Sequence, residues 1–133
     1  MIASLDTNIV IYLIERPAVW GPKVVAYLAP LIVQGWRIAV SDLVRMECRV
    51  GPIRTGDAAR LARFDTFFNA GQVVILPLDG RACDQAARIR AMHRFSTPDA
   101  LNLAASAEAG CDLFVTNALR LAGFRDLAIA TLA

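Results

Sequence analysis

The sequence predicts an α/β fold in which helices cover both faces of a mainly parallel central sheet of about five strands, giving three α/β/α layers. Short apolar runs of strand length alternate along the chain with longer segments of helical pattern, which is typical of such a sheet. A chain of 133 residues with 56% hydrophobic side chains can form one core and leaves little for disordered tails. We therefore expect one domain that spans residues 1–133.

The elements alternate as short strands and longer helices along the whole chain. The predicted strands cover residues 2–5, 36–40, 73–76, 112–116 and 127–131. The predicted helices cover residues 8–14, 22–34, 42–50, 57–70, 80–93 and 98–109. Pro30 is expected to kink or end the second helix, because proline lacks the N–H that a helix interior needs. No apolar run reaches the roughly 20 residues of a membrane span, and no leader is evident, so we expect a cytoplasmic protein without membrane contact.

The composition excludes several kinds of catalytic site. Lys23 is the only lysine among 14 basic residues, and no GxxxxGK[ST] phosphate loop is present. The single histidine and the three widely spaced cysteines do not form the spacing of a metal site. Acid and base chemistry must therefore come mostly from carboxylates, or from water bound to a metal ion.

Three acids lie just after a predicted strand or in a predicted helix whose beginning points to the carboxyl-end edge of the sheet, where ligands of open parallel sheets bind. Asp6 follows the first strand, Glu47 lies in the helix after the second, and Asp99 lies in the first turn of the helix that begins at Thr97. Alone, each has a structural explanation: Asp6 and Asp99 suit helix starts, and Glu47 suits a solvated helix face. Together in one cleft their charges would repel, and a hard divalent cation such as Mg²⁺ would remove that conflict.

Four sequence segments in the same order resemble the PIN domain, and within it the VapC-type toxin ribonucleases. They are DTNIVIYLIE near the start, SDLVRMECRVGP, LPLDGRACDQAARIRA and TPDALNLAASAEAGCDLFVTN. The resemblance covers nearly the whole chain. It implies a PIN-like doubly wound sheet, a Mg²⁺ or Mn²⁺ site built from acids, and hydrolysis of RNA phosphodiester bonds.

The resemblance assigns roles to individual residues of this chain. Asp6, Glu47 and Asp99 match the catalytic acids, with Asp6 and Asp99 as metal ligands. The accessory polar positions are matched by Thr7, Asn8 and Thr116, and Asn117 could add a neutral oxygen. The implied partners are an RNA substrate, a cognate VapB-type antitoxin and a second copy of the chain in a homodimer. Candidate RNA phosphate contacts, chosen because arginine suits bidentate phosphate binding, are Arg45, Arg49, Arg88, Arg90 and Arg94.

One position departs from the family pattern. The family usually reads TND after its fourth strand, and this chain reads TNA, so Ala118 stands where a fourth carboxylate is expected. The missing charge favours one bound divalent ion over a pair. It also predicts weakened ribonuclease activity.

Two other functions fit parts of the sequence. A haloacid-dehalogenase-like phosphatase also begins with a strand that ends on aspartate, but its second aspartate is replaced here by Asn8, and Lys23 comes too early for its lysine. A PIN-like scaffold that lacks catalytic activity and acts by binding RNA or protein is the stronger alternative, because of Ala118. Metal-dependent RNA cleavage would distinguish this scaffold from an enzyme.

Overall fold

A computed structural model describes all residues, 1–133, and contains five strands and six α-helices. The strands are β1 Ile2–Leu5, β2 Arg37–Ser41, β3 Val73–Leu76, β4 Leu113–Thr116 and β5 Ile129–Thr131. The helices are α1 Thr7–Glu15, α2 Trp20–Val33, α3 Asp42–Thr55, α4 Ala58–Phe68, α5 Gly80–Met92 and α6 Thr97–Glu108. A short 3₁₀ helix, Leu119–Gly123, follows β4. None of the helices is long and apolar enough to cross a bilayer.

The strands form one sheet in the order β3-β2-β1-β4-β5, and every neighbouring pair is parallel. The sequence therefore predicted the three-layer α/β/α class correctly, and the mainly parallel sheet is entirely parallel. Strand order reverses between β1 and β4, which places a crevice outside the carboxyl ends of these two strands.

Alternating strand residues pack against different helices on the two faces of the sheet. On one face, Leu5 and Val40 join a cluster with buried residues of α1 to α4. On the other, Ala39 and Phe114 join a cluster with residues of α5, α6 and the 3₁₀ helix. Because successive strand side chains point to opposite faces, these short apolar strands are buried on both sides.

Pro30 does not end α2, which continues through it to Val33. Pro30 lies close enough to the carboxyl end of α2 that the helix loses its hydrogen bond only in the last turn. By contrast, α3 is capped at its carboxyl end by Gly56, whose φ of 69° is left-handed and suits glycine. The structure also extends α3 five residues past the predicted boundary of 50, to Thr55.

Candidate active site

A polar cavity of about 400 Å³ lies at the carboxyl ends of the central strands, where the strand order reverses. Its lining includes all three acids that the sequence singled out, Asp6, Glu47 and Asp99. The lining also includes the predicted polar residues Thr7, Asn8 and Asn117, together with Ala118. Residues far apart in sequence meet here because parallel strands end at the same edge of the sheet.

Asp6 is held on both carboxylate oxygens. Its Oδ2 accepts a hydrogen bond from the Thr116 hydroxyl at 2.7 Å, and its Oδ1 accepts from the Thr7 backbone N–H at 2.8 Å. The Asn102 amide adds a longer contact of 3.4 Å to Oδ1. Thr116 is buried at the end of β4 and itself accepts from the Ala118 N–H at 3.0 Å, so its hydroxyl hydrogen is directed at Asp6.

Ser41 orients the Asn102 amide toward Asp6. The Ser41 hydroxyl donates to Asn102 Oδ1 at 2.5 Å and also accepts from the Val44 N–H, which caps α3. Both residues are buried, with 3% of each exposed. Because Ser41 occupies the amide oxygen, the NH₂ group of Asn102 is left to face the carboxylate.

Burial raises the pKa of the Asp6 carboxyl above its ordinary value. Hydrogen bonds from Thr116 and Thr7 oppose this effect, and the nearby Asp99 carboxylate adds to it. A carboxylate that is destabilised in this way is a better ligand for a cation that restores the charge balance.

The stability of the protein should reflect the raised pKa of Asp6. In the folded chain Asp6 binds its proton more tightly than in the unfolded chain. Its stabilising contribution is therefore present below about pH 4, the ordinary range for aspartate, and is lost as pH rises through the folded value. We expect the free energy of unfolding of the wild type, relative to Asp6→Asn, to fall as pH rises above about 4.

Urea unfolding of both proteins at several pH values measures this difference. Asp112→Asn is a suitable control, because Asp112 lies before β4 at the opposite end of the sheet, where it accepts from the Ile2 N–H at 2.8 Å. If the free energy of unfolding of the wild type instead rose relative to that of Asp6→Asn as pH increased, the raised pKa of Asp6 would be contradicted.

Glu47 is positioned by Thr7. The Thr7 hydroxyl donates to Glu47 Oε1 at 2.7 Å, which links the first turn of α1 to α3 across 40 residues of sequence. Glu47 is only partly buried and lines the cavity, and its Oε2 makes no hydrogen bond. The solvated-face explanation for Glu47 is therefore incomplete, because this carboxylate has a specific partner within the site.

Asp99 forms an ion pair that was not predicted from the sequence. Arg120, in the 3₁₀ helix, donates to Asp99 Oδ2 through Nε at 3.0 Å and through Nη2 at 2.7 Å. The Asp99 side chain is 10% exposed and that of Arg120 is 62% exposed. Arg120 is the only basic residue that lines the cavity. The only indication of this pair in the sequence is a basic residue four positions after the end of β4. That position reaches Asp99 only because of the 3₁₀ helix, which was not predicted.

The remaining accessory residues form the outer rim. Asn8 donates to Asn117 Oδ1 at 3.4 Å, and Asn117 donates to the Tyr12 hydroxyl at 3.3 Å. Asn117 Oδ1 is therefore already shared. Ala118 lines the cavity and its side chain has no oxygen, so the fourth carboxylate has no substitute at that position.

The five arginines predicted to contact RNA do not line this cavity. Arg49 pairs with Asp65, and Arg45 lies over the Phe68 ring. Arg90 bonds to Thr97 and to the Phe95 carbonyl, while Arg88 bonds to Gln85. Arg94 is exposed. Contact between these residues and RNA stays a prediction.

The donors in the cavity suit a hard divalent cation. They are carboxylate, hydroxyl and amide oxygens, and neither a thiol nor an imidazole lines the cavity. No group of three acidic, histidine or cysteine side chains is gathered closely enough to be a ready-made metal site. A cation bound by Asp6 and Asp99 would therefore require side chains to move, and Arg120 occupies one of the oxygens involved.

Comparisons with known proteins agree with this architecture. The sequence model of the family described as "PIN domain" matches residues 3–127. No curated protein shows significant sequence similarity to the chain.

Several solved structures share the fold at low sequence identity. VapBC2 from Rickettsia felis, bound to a DNA fragment from its promoter, has a TM-score of 0.78 at 19% identity, covering 100% of both chains. FitAcB from Neisseria gonorrhoeae has a TM-score of 0.72 at 20% identity, covering 97% of this chain and 96% of that one. VapC20 from Mycobacterium tuberculosis, described as a toxin that cleaves the sarcin-ricin loop, has a TM-score of 0.72 at 15% identity, covering 94% of this chain and 98% of that one.

Proposed function

The chain belongs to the PIN domain family, and on that basis we propose that it is a metal-dependent endoribonuclease of the VapC toxin type. The observation that carries the proposal is the single cavity at the strand ends that brings Asp6, Glu47 and Asp99 together. The similarity to a toxin described as cleaving the sarcin-ricin loop supports RNA as the substrate.

The residues of the cavity divide into ligands and groups that position them. Asp6 and Asp99 would hold Mg²⁺, with Mn²⁺ as an alternative, and Thr116, Thr7 and Asn102 fix the Asp6 carboxylate for this purpose. The bound ion would polarise the RNA phosphate and lower the pKa of a water molecule for in-line attack. Glu47, held through Oε1 by Thr7, would accept a hydrogen bond from that water and orient it.

Cleavage of a labelled RNA by the purified protein tests the proposal. We expect cleavage with Mg²⁺ or Mn²⁺, loss of cleavage with EDTA, and products with 5′-phosphate and 3′-hydroxyl ends. Products with 2′,3′-cyclic phosphate ends, or cleavage that persists in EDTA, would contradict hydrolysis by metal-bound water.

A second candidate function is a PIN scaffold that binds RNA or protein without cleaving RNA. Ala118 favours this alternative, because it removes a carboxylate from the cavity. RNA binding without cleavage at any divalent ion concentration would support the scaffold.

We also propose that the chain pairs with a VapB-type antitoxin and forms a homodimer. Structures similar to this chain include VapBC complexes. Large apolar side chains are exposed at the end of α2, where Val33 is 87% exposed, and along α3, where Met46 and Ile53 are 53% and 59% exposed. Apolar surface of this kind fits protein contacts. Sedimentation that shows only monomer across micromolar concentrations would count against the dimer.

A further inference from the structure

We propose that Arg120 is the phosphate-binding residue of the cavity, and that it exchanges Asp99 for an RNA phosphate when a divalent cation takes that carboxylate. The inference deepens the proposed nuclease function and rests on it for the identity of the substrate. Arg120 lines the cavity but is not one of the acidic and polar residues that the sequence singled out.

The backbone that carries Arg120 is anchored on both sides. Leu121 is fully buried, and Phe124 is only 4% exposed, so the 3₁₀ helix is fixed to the core next to α6. On the other side, the Ala118 N–H is bonded to Thr116 at the end of β4. The long side chain of Arg120 can therefore change rotamer and move its guanidinium within the cavity while its Cα stays in place.

The guanidinium uses only part of its hydrogen-bonding capacity. Nε and Nη2 both donate to the same oxygen, Asp99 Oδ2, and Arg120 makes no other hydrogen bond. A guanidinium has five N–H donors in a planar fork that matches two phosphate oxygens. Because 62% of the side chain is exposed, the unused donors are accessible from the open side of the cavity.

The charges of the cavity require a cation before RNA can bind. Asp6, Glu47 and Asp99 line the cavity with Arg120 as the only positive side chain in the lining, so the cavity is acidic overall. An RNA phosphate would be repelled by this surface unless a cation contacts it directly. Arg120 is the residue of this chain placed to do so, since the other candidate arginines lie outside the lining.

Arg120 and a divalent cation would meet at the Asp99 carboxylate. The guanidinium already donates two hydrogen bonds to Asp99 Oδ2, so a metal ion bound to this carboxylate would lie close to it, and the two positive charges would repel. Metal binding therefore favours release of the guanidinium, and an RNA phosphate at the metal offers it a new anionic partner.

The exchange predicts opposite effects of one substitution on two affinities. Arg120→Gln removes the positive charge beside Asp99, so Mn²⁺ should bind at least about threefold more tightly to the variant than to the wild type. The same substitution removes a charge-assisted phosphate contact, so single-stranded RNA in the presence of Ca²⁺ should bind roughly tenfold more weakly. The slope of log affinity against log salt should become shallower by about 0.7, the value for one phosphate contact on a single strand.

Calorimetric titration with Mn²⁺ and fluorescence anisotropy of a labelled RNA measure these two affinities without requiring cleavage. Arg125→Gln is the matched control, because Arg125 is exposed, lies outside the cavity and carries the same charge. It should leave both affinities within twofold of the wild type. Arg120→Lys keeps the charge but loses the fork, and should give an intermediate RNA affinity.

An ion pair with a purely structural role makes a different prediction. Arg120→Gln would then lower the thermal midpoint and weaken Mn²⁺ binding, or change neither affinity, and each of these results would overturn the exchange. Absence of Mn²⁺ binding to both the wild type and Arg120→Gln would overturn it as well. Failure of the wild type to cleave RNA would instead refute the nuclease proposal, while the two affinities would still decide the role of Arg120.

Discussion

Asp6→Asn and Asp99→Asn are each expected to lower metal-dependent RNA cleavage by at least about 100-fold. Loss of a residue that merely orients a metal ligand typically costs 10- to 100-fold in affinity or activity, so loss of a ligand should cost at least the upper part of that range. Both substitutions nearly keep the side-chain volume, remove the negative charge and replace one acceptor oxygen by an amide donor. The effect should therefore come from the cavity and not from the fold.

Initial cleavage rates at saturating and at limiting Mn²⁺ measure this loss. Asp112→Asn makes the same chemical change at the amino end of β4, outside the cavity, and should retain wild-type rates. Circular dichroism and the thermal midpoint establish that each variant is folded. Cleavage by Asp6→Asn at the wild-type rate would refute the proposed metal site, since Asp6 has the most extensive hydrogen-bond support of the three acids.

Ala118→Asp is expected to increase both metal affinity and cleavage. Ala118 lines the cavity directly after Asn117, so an aspartate there adds a fourth carboxylate beside Asp6 and Asp99. Attraction between a divalent ion and one added carboxylate about 4 Å away is roughly 2 kcal/mol even at the dielectric constant of water. We therefore expect Mn²⁺ to bind at least about tenfold more tightly than to the wild type.

Ala118→Asn separates the charge of the new side chain from its size. It adds a side chain of nearly the same volume without the negative charge, and should give little of the gain in Mn²⁺ affinity. Calorimetry with Mn²⁺ and a parallel assay of RNA cleavage compare the three proteins. If the aspartate changes neither quantity, position 118 is not the missing ligand, and Asn117 or a water molecule completes the metal shell.

Much of the architecture could be predicted from local patterns. Short apolar runs between helical segments identified all five strands and all six helices, because strand and helix periodicities are properties of neighbouring residues. The same reasoning placed Asp6 and Asp99 at one edge of the sheet. Parallel strands connected by helices end at a common edge, where these helices also begin, so Asp6 after β1 and Asp99 in the first turn of α6 meet without any knowledge of the detailed packing.

Contacts between distant segments could not be predicted in this way. The link from Thr7 to Glu47 depends on how α1 and α3 cross, and the relay from Ser41 through Asn102 to Asp6 depends on the position of α6. These distances are set by side-chain packing across the sheet. A few ångströms decide whether a hydrogen bond forms, and sequence spacing does not define distances on that scale.

The partners of the arginine side chains were determined by the tertiary structure and not by the sequence pattern. Arginine is the chain's main cation by composition, and the RNA contacts of five arginines stay a prediction. The structure brings a further arginine, Arg120, to the cavity and pairs Arg49 with Asp65. Long charged side chains have many rotamers of similar energy, so their partners are chosen by the charges that the folded chain places within reach. The sequence by itself therefore determined the order of the elements and the acids at the strand ends, whereas only the tertiary structure decided which cation those acids face.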